Sequence, residues 1–131
     1  MALLVSGCRH HAGASPKVDT STLALAEEFE TAVPNWTKKE QLPPDAVPGA
    51  KLFAMGGCLN CHRYLRAGAS QLGGPDMSAE GLKHRGIRFQ IAHLKCPSCM
   101  KKGSPMPSFA AWGPSNLRKV AIFLEASKGA R

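Results

Sequence analysis

Cys58-Leu59-Asn60-Cys61-His62 sets two thiols three residues apart and follows them directly with an imidazole. At that spacing both sulfurs can add to the two vinyl groups of one porphyrin, and the histidine then lies under the iron as its first axial ligand. Far downstream, Ser104-Pro105-Met106-Pro107 holds a thioether between two prolines, a second axial ligand of suitable softness. The pattern predicts one haem c, held by Cys58, Cys61, His62 and Met106, with His62 and Met106 as the iron ligands. With both axial positions filled, the iron has no vacant site for a substrate. The expected chemistry is single-electron transfer and not catalysis.

A second C-x-x-C, Cys96-Pro97-Ser98-Cys99, opens another reading. Joined to Cys58 and Cys61 it would make a four-cysteine zinc site, and the chain a zinc-binding interaction module. Zinc leaves His62 and the proline-flanked Met106 without a role. Cys96 and Cys99 are expected to form a local disulfide that stiffens the methionine loop. A catalytic dithiol lacks the accompanying βαβ pattern. A labile or missing sixth ligand would turn the same haem into a gas sensor or a peroxidase-like centre. Met77 and Met100 are alternative sulfur ligands. His84 and His93 could form a bis-histidine pair, although a helix-face histidine beside lysines and arginines is more often solvated. His10 and His11 read as tail residues.

Haem attachment to C-x-x-C-H takes place outside the cytoplasm, where disulfides are also permitted, so an exported protein is expected, at the outer face of the cytoplasmic membrane or in the periplasm. Met1-Ala2-Leu3-Leu4-Val5-Ser6-Gly7-Cys8 resembles the last part of a bacterial lipoprotein signal, with Cys8 as the lipid-bearing residue. Its apolar run is far shorter than a working core of roughly 7–15 residues and has no basic stretch before it, as though the start were set late or trimmed. No other segment approaches the roughly 20 apolar residues that span a bilayer. Seventeen Lys and Arg against nine Asp and Glu give a formal net charge of +8. That balance favours partners with acidic faces or anionic headgroups, and without an aromatic-interleaved basic stripe it makes no case for nucleic acid.

The elements that must position these residues are short helices between loops. Ten prolines and thirteen glycines in 131 residues argue against a sheet protein. Pro48 opens a helix to Met55, with Ala50, Phe53 and Ala54 at i, i+3 and i+4, and Gly56-Gly57 ends it. Ser78 caps a short segment Ala79–Arg85, interrupted at Gly86. A helix follows from Ile87 to Lys95, presenting Phe89, Ile91, Ala92 and Leu94, and Pro97 discourages its continuation. Ser115 or Asn116 caps a last helix to Ser127, with Leu117, Val120, Ala121 and Leu124 on its apolar stripe. Leu23–Val33 could form a short amphipathic helix that Pro34 stops, and Pro43, Pro44 and Pro48 stiffen the approach to the domain.

From Pro48 to Ala126 the chain resembles the class I (monohaem) c-type cytochromes. In that family a glycine and an aromatic on the first helix pack against an aromatic on the last, and Gly49, Phe53 and Phe123 fall at matching places. The family follows C-x-x-C-H with a Gly-Pro-x-Leu loop whose proline carbonyl accepts the axial histidine's hydrogen bond. Gly74-Pro75-Asp76-Met77 matches, with Met77 where leucine is usual, so Pro75 joins the cofactor-binding set. Met106-Pro107-Ser108-Phe109 fits the family's axial-methionine loop. The resemblance implies an all-α class I cytochrome c fold over 48–131, behind a signal remnant over 1–8 and a tether over 9–47. It also implies electron transport in a respiratory chain between membrane-associated partners: an oxidase, a quinol-oxidising complex or a dehydrogenase. Lys95, Lys101 and Lys102 beside the methionine loop, with Lys51, Arg63 and Arg66 beside the haem motif, would steer docking onto their acidic surfaces.

Overall fold

Residues 31–130 are described by the computed structural model. Cys8, the 1–8 signal and most of the 9–47 tether lie outside the described residues, as does all but the end of the Leu23–Val33 helix. The fold is mostly helical, with one small two-stranded sheet. A helix covers 31–40 (α1). One 3-10 turn, Pro44–Ala46, runs into α2 (Val47–Met55). The remaining helices are α3 (Ile87–Lys95), α4 (Pro97–Met100) and α5 (Gly113–Ala126).

Two expectations about the N-terminal side are corrected. Pro34 does not stop a helix, because α1 runs through it to residue 40. α1 buries Ala32, Val33 and Trp36, and Trp36 is only 1% exposed. Burying a large apolar side chain such as Val33 is worth about 1.5–3 kcal/mol, so this face holds the segment against the core. The segment from 31 to 47 is therefore part of the folded unit and not a tether, and the domain boundary at 48 moves upstream at least to 31. Reading the prolines as stiffeners overlooks the face made by Ala32, Val33, Trp36 and Glu40.

At the centre, Trp36, Phe53, Tyr64 and Phe123 form one aromatic cluster, with every pair of ring centroids between 4.6 and 6.2 Å. The expected packing of the helix opened by Pro48 against the last helix is present as α2 against α5. A Cβ on Gly49 would lie 1.9 Å from the Lys119 carbonyl oxygen and 2.8 Å from Phe123 Cβ, so only glycine permits this approach. α5 begins at Gly113 with Pro114 in its first turn, earlier than the expected Ser115 or Asn116 cap, and Asn116 instead turns its amide back onto the Trp112 carbonyl at 3.1 Å.

The all-α expectation also needs one amendment. β1 (Arg63–Tyr64) pairs antiparallel with β2 (Ala67–Gly68), with Tyr64 opposite Ala67. Burial of the Tyr64 ring fixes this hairpin directly after the C-x-x-C-H motif. Ser127 Oγ donates to the Phe123 carbonyl at 2.8 Å, which uses its one proton, so the Tyr64 hydroxyl donates to Ser127 Oγ at 2.7 Å. The C-terminal segment is fastened at several points. Glu40, buried, accepts the backbone N–H groups of Lys128 and Ala130 at 2.9 and 3.0 Å. Gly129 N–H donates to the Ser78 carbonyl, and Gly81 N–H to that of Ser127.

Candidate functional site

Gly57, at φ +86°, turns the chain out of α2 into a 3-10 turn, Cys58–Asn60. The N–H groups of Cys61 and His62 both return to the Cys58 carbonyl, at 3.2 and 2.9 Å, so the motif is one compact turn. Both cysteines are free thiols; Cys58 is buried and Cys61 half-buried. Burial pushes the Cys58 thiol up to about 11, with a backbone hydrogen bond opposing.

The loop that follows is laid along this turn by its own backbone. Ala69 N–H bonds the Leu59 carbonyl, Gln71 N–H that of Cys61, and Met77 N–H that of Arg63. Glycines allow the close approach: a Cβ at Gly68 would sit 2.3 Å from the His62 oxygen, and one at Gly74 2.0 Å from the Cys61 oxygen. This arrangement delivers the Pro75 carbonyl to His62, with Nδ1 2.8 Å from the oxygen. A carbonyl can only accept, so Nδ1 carries a proton, and in the neutral ring the lone pair lies on Nε2. Such a partner orients a ligating histidine and raises its basicity. The residues present fit a haem c: two unpaired thiols and an imidazole in the ligating tautomer stand on one turn.

Met106 lies on a separate loop. It is half-buried against the core, and its N–H is 3.3 Å from Ser104 Oγ. The loop is hooked to the end of α3, where Ser108 Oγ donates to the Lys95 carbonyl at 2.6 Å and Phe109 N–H to the Leu94 carbonyl at 2.8 Å. The structure thus brings Pro75 to His62 and leaves Met106 on its own support. Met77, half-buried, and Met100, 41% exposed, remain in place as other thioethers.

Cys96 and Cys99 are joined as the expected disulfide, with Cα atoms 5.3 Å apart. That bond consumes two of the sulfurs a four-cysteine zinc site needs and leaves Cys58 and Cys61 as the only free thiols among the described residues. Among the described residues no three His, Cys, Asp or Glu side chains converge on a common point. His84 is exposed, as anticipated, but His93 is half-buried, 6.0 Å from the Phe89 ring. Its pKa falls below the usual histidine value mainly through burial, with Glu80 opposing and the positive fields of His62 and Arg85 adding to the fall. Charged flanking residues conceal this environment in the sequence. Trp112 also escapes a sequence reading: its ring fills the space where a Gly56 Cβ would sit, 2.2 Å away, one residue before Gly57.

No protein family, no curated protein and no solved structure matches this chain. The site is therefore read from its own chemistry. Lys51, Arg63, Arg66, Lys95, Lys101 and Lys102 are all exposed. A cleft of about 360 Å³ between Lys39, Leu65, Arg66, Ser78, Gly129 and Ala130 includes none of the predicted site residues. Among the described residues, no helix is long and apolar enough to cross a membrane.

Proposed function

We propose that this chain is a monohaem cytochrome with the class I fold, passing single electrons between exported redox partners. The observation that carries the reading is the His62 Nδ1 to Pro75 carbonyl hydrogen bond on the same turn as two unpaired thiols. Two unpaired thiols beside an imidazole oriented through Nδ1 are the grouping that covalent haem attachment needs. Bound haem would supply a reversible one-electron iron couple. Cys58 and Cys61 would hold the porphyrin, Pro75 orients His62, and His62 Nε2 and the Met106 sulfur would ligate the iron. Met106, Ile91, Phe109 and Trp112 pack partly against the core and offer apolar contact.

The exposed lysines and arginines on both sides of the site support docking onto acidic partner surfaces, a long-range attraction that weakens as salt is added. The disulfide supports an oxidising compartment, and lipidation at Cys8 would keep the domain near membrane-bound partners. Electron carriage, not catalysis, follows from two filled axial positions.

Protein matured in an export-competent host should show a Soret band and a pyridine haemochrome spectrum with both vinyl groups consumed. Met106→Ala should open the sixth position, so that the ferrous form binds carbon monoxide while the parent does not. A colourless purified chain sinks the proposal. Carbon monoxide binding by the unaltered protein would favour the gas-sensing or peroxidase-like reading.

A further inference from the structure

We propose that the Cys96–Cys99 disulfide is open to exchange with a dithiol reductant and sets how firmly the chain holds Met106. The first half concerns the chain alone; the effect on an iron ligand rests on the function proposed above.

Access comes first. Cys99 is exposed and Cys96 half-buried, so an incoming thiolate meets the Cys99 sulfur. Ser98 Oγ lies 3.8 Å from Cys96 Sγ. A disulfide sulfur carries no proton, so the serine hydroxyl donates and would also stabilise a thiolate on Cys96. Lys95, Lys101 and Lys102, exposed on either side, favour that thiolate further. In the exchange, a reductant thiolate bonds to Cys99 Sγ and the Cys96–Cys99 bond breaks. The electron pair leaves on Cys96 Sγ, which takes up a proton. The reductant's second thiol then displaces Cys99 and closes its own disulfide. Two electrons and two protons pass to the cysteine pair, and the dithiol is oxidised.

The link to Met106 is a relay of short local bonds. Cys99 N–H bonds the Cys96 carbonyl, Lys101 N–H that of Pro97, Ser104 N–H that of Lys101, and Met106 N–H bonds Ser104 Oγ. Ser108 and Phe109 hook the far end to Lys95 and Leu94. From 98 to 108 every residue is exposed except Ser104 and Met106, which are half-buried, so little packing backs up these bonds. The disulfide is the covalent member at the head of the relay. Opening it leaves the arc from 100 to 107 held by exposed hydrogen bonds, the kind that open readily, and by the partial packing of Met106.

The test uses full-length haem-bearing protein, with ascorbate keeping the iron ferrous in every arm. Native protein is treated with dithiothreitol and alkylated with iodoacetamide, and the modified peptides are mapped. Cys96 and Cys99 should both be labelled without denaturant. Amide exchange at Ser104 and Met106 should rise roughly tenfold or more while the amides of α5 stay unchanged. Carbon monoxide should then bind detectably to the ferrous protein. A Cys96→Ser/Cys99→Ser variant should reproduce both changes with no reductant present, and treatment of the parent chain serves where that variant fails to fold. Labelling only after denaturation overturns the proposal, as does unchanged exchange at Ser104 and Met106. Faster exchange without carbon monoxide binding overturns the link to the ligand. If the protein is colourless, the haem reading alone fails, and labelling and exchange still decide the rest.

Discussion

Around Phe123, four aromatic rings lie within 6.2 Å of one another, and each is at most 3% exposed. Across 97–108 only Pro97 is buried, and the chain is held by single hydrogen bonds and one disulfide. His62 is built against the first region, since Tyr64 two residues later is locked into the ring cluster and the Pro75 loop is tied to the same turn. Met106 belongs to the second. One proposed ligand is therefore fixed beside the buried aromatic cluster and the other by local, solvent-facing bonds. That division would suit the proposed carrier, in which the histidine would stay on the iron and the strength of the methionine bond would be tuned from the surface.

The sharpest challenge to this contrast is Trp36→Ala. Truncating a tryptophan that touches three other buried rings should cost about 3–5 kcal/mol, a large part of the roughly 5–15 kcal/mol that small domains possess. Urea unfolding of the variant measures it. A loss below about 1 kcal/mol would return the 31–47 segment to the role of a tether.

Second in size is Gly49→Ala. The added methyl meets the Lys119 carbonyl at 1.9 Å, backbone against backbone, so α2 and α5 must separate. Overpacking of this kind costs about 1–3 kcal/mol. Hydrogen exchange should show the loosening in both helices and in the Tyr64 hairpin, and little change at Ser104.

These two residues also mark what the sequence could disclose. Gly49, Phe53 and Phe123 were legible through the resemblance to a family whose first and last helices pack in this way. The His62–Pro75 pairing was legible through a family motif, and the disulfide through proximity in sequence. Trp36 was not, because its partners lie 17, 28 and 87 positions downstream, as the numbering of Phe53, Tyr64 and Phe123 gives. Glu40 is bonded to amides 88 and 90 positions away, beyond the reach of any local pattern. The hairpin is hidden because two-residue strands leave no alternation to read. His93 reads as solvated because its basic neighbours say nothing about the ring of Phe89 one turn before it.

On the methionine side, Cys96→Ser/Cys99→Ser should cost less than either core change. A ring of four residues constrains the unfolded chain by about 2 kcal/mol at most. The shift in urea midpoint should be correspondingly modest, with the slope unchanged. A loss matching that of Trp36→Ala would erase the contrast, since it would mean the loop is as deeply integrated as the aromatic cluster.

The smallest effect concerns His93, on the helix that supports the methionine loop. Burial lowers its pKa below the ordinary value of 6.5, and His62 and Arg85 lower it further against the pull of Glu80. Between 6.5 and the lower native value, the unfolded chain binds a proton that the folded chain refuses. Stability is thus complete above 6.5, falls as pH drops through that window, and levels off once native His93 is also charged. His93→Gln removes the differential proton. Urea midpoints compared at about pH 7.5 and pH 5 should therefore differ less in the variant than in the parent. An equal acid sensitivity in both would mean that His93 is as wet as its lysine and arginine neighbours, and that the α3 face beside Phe89 is open, not packed.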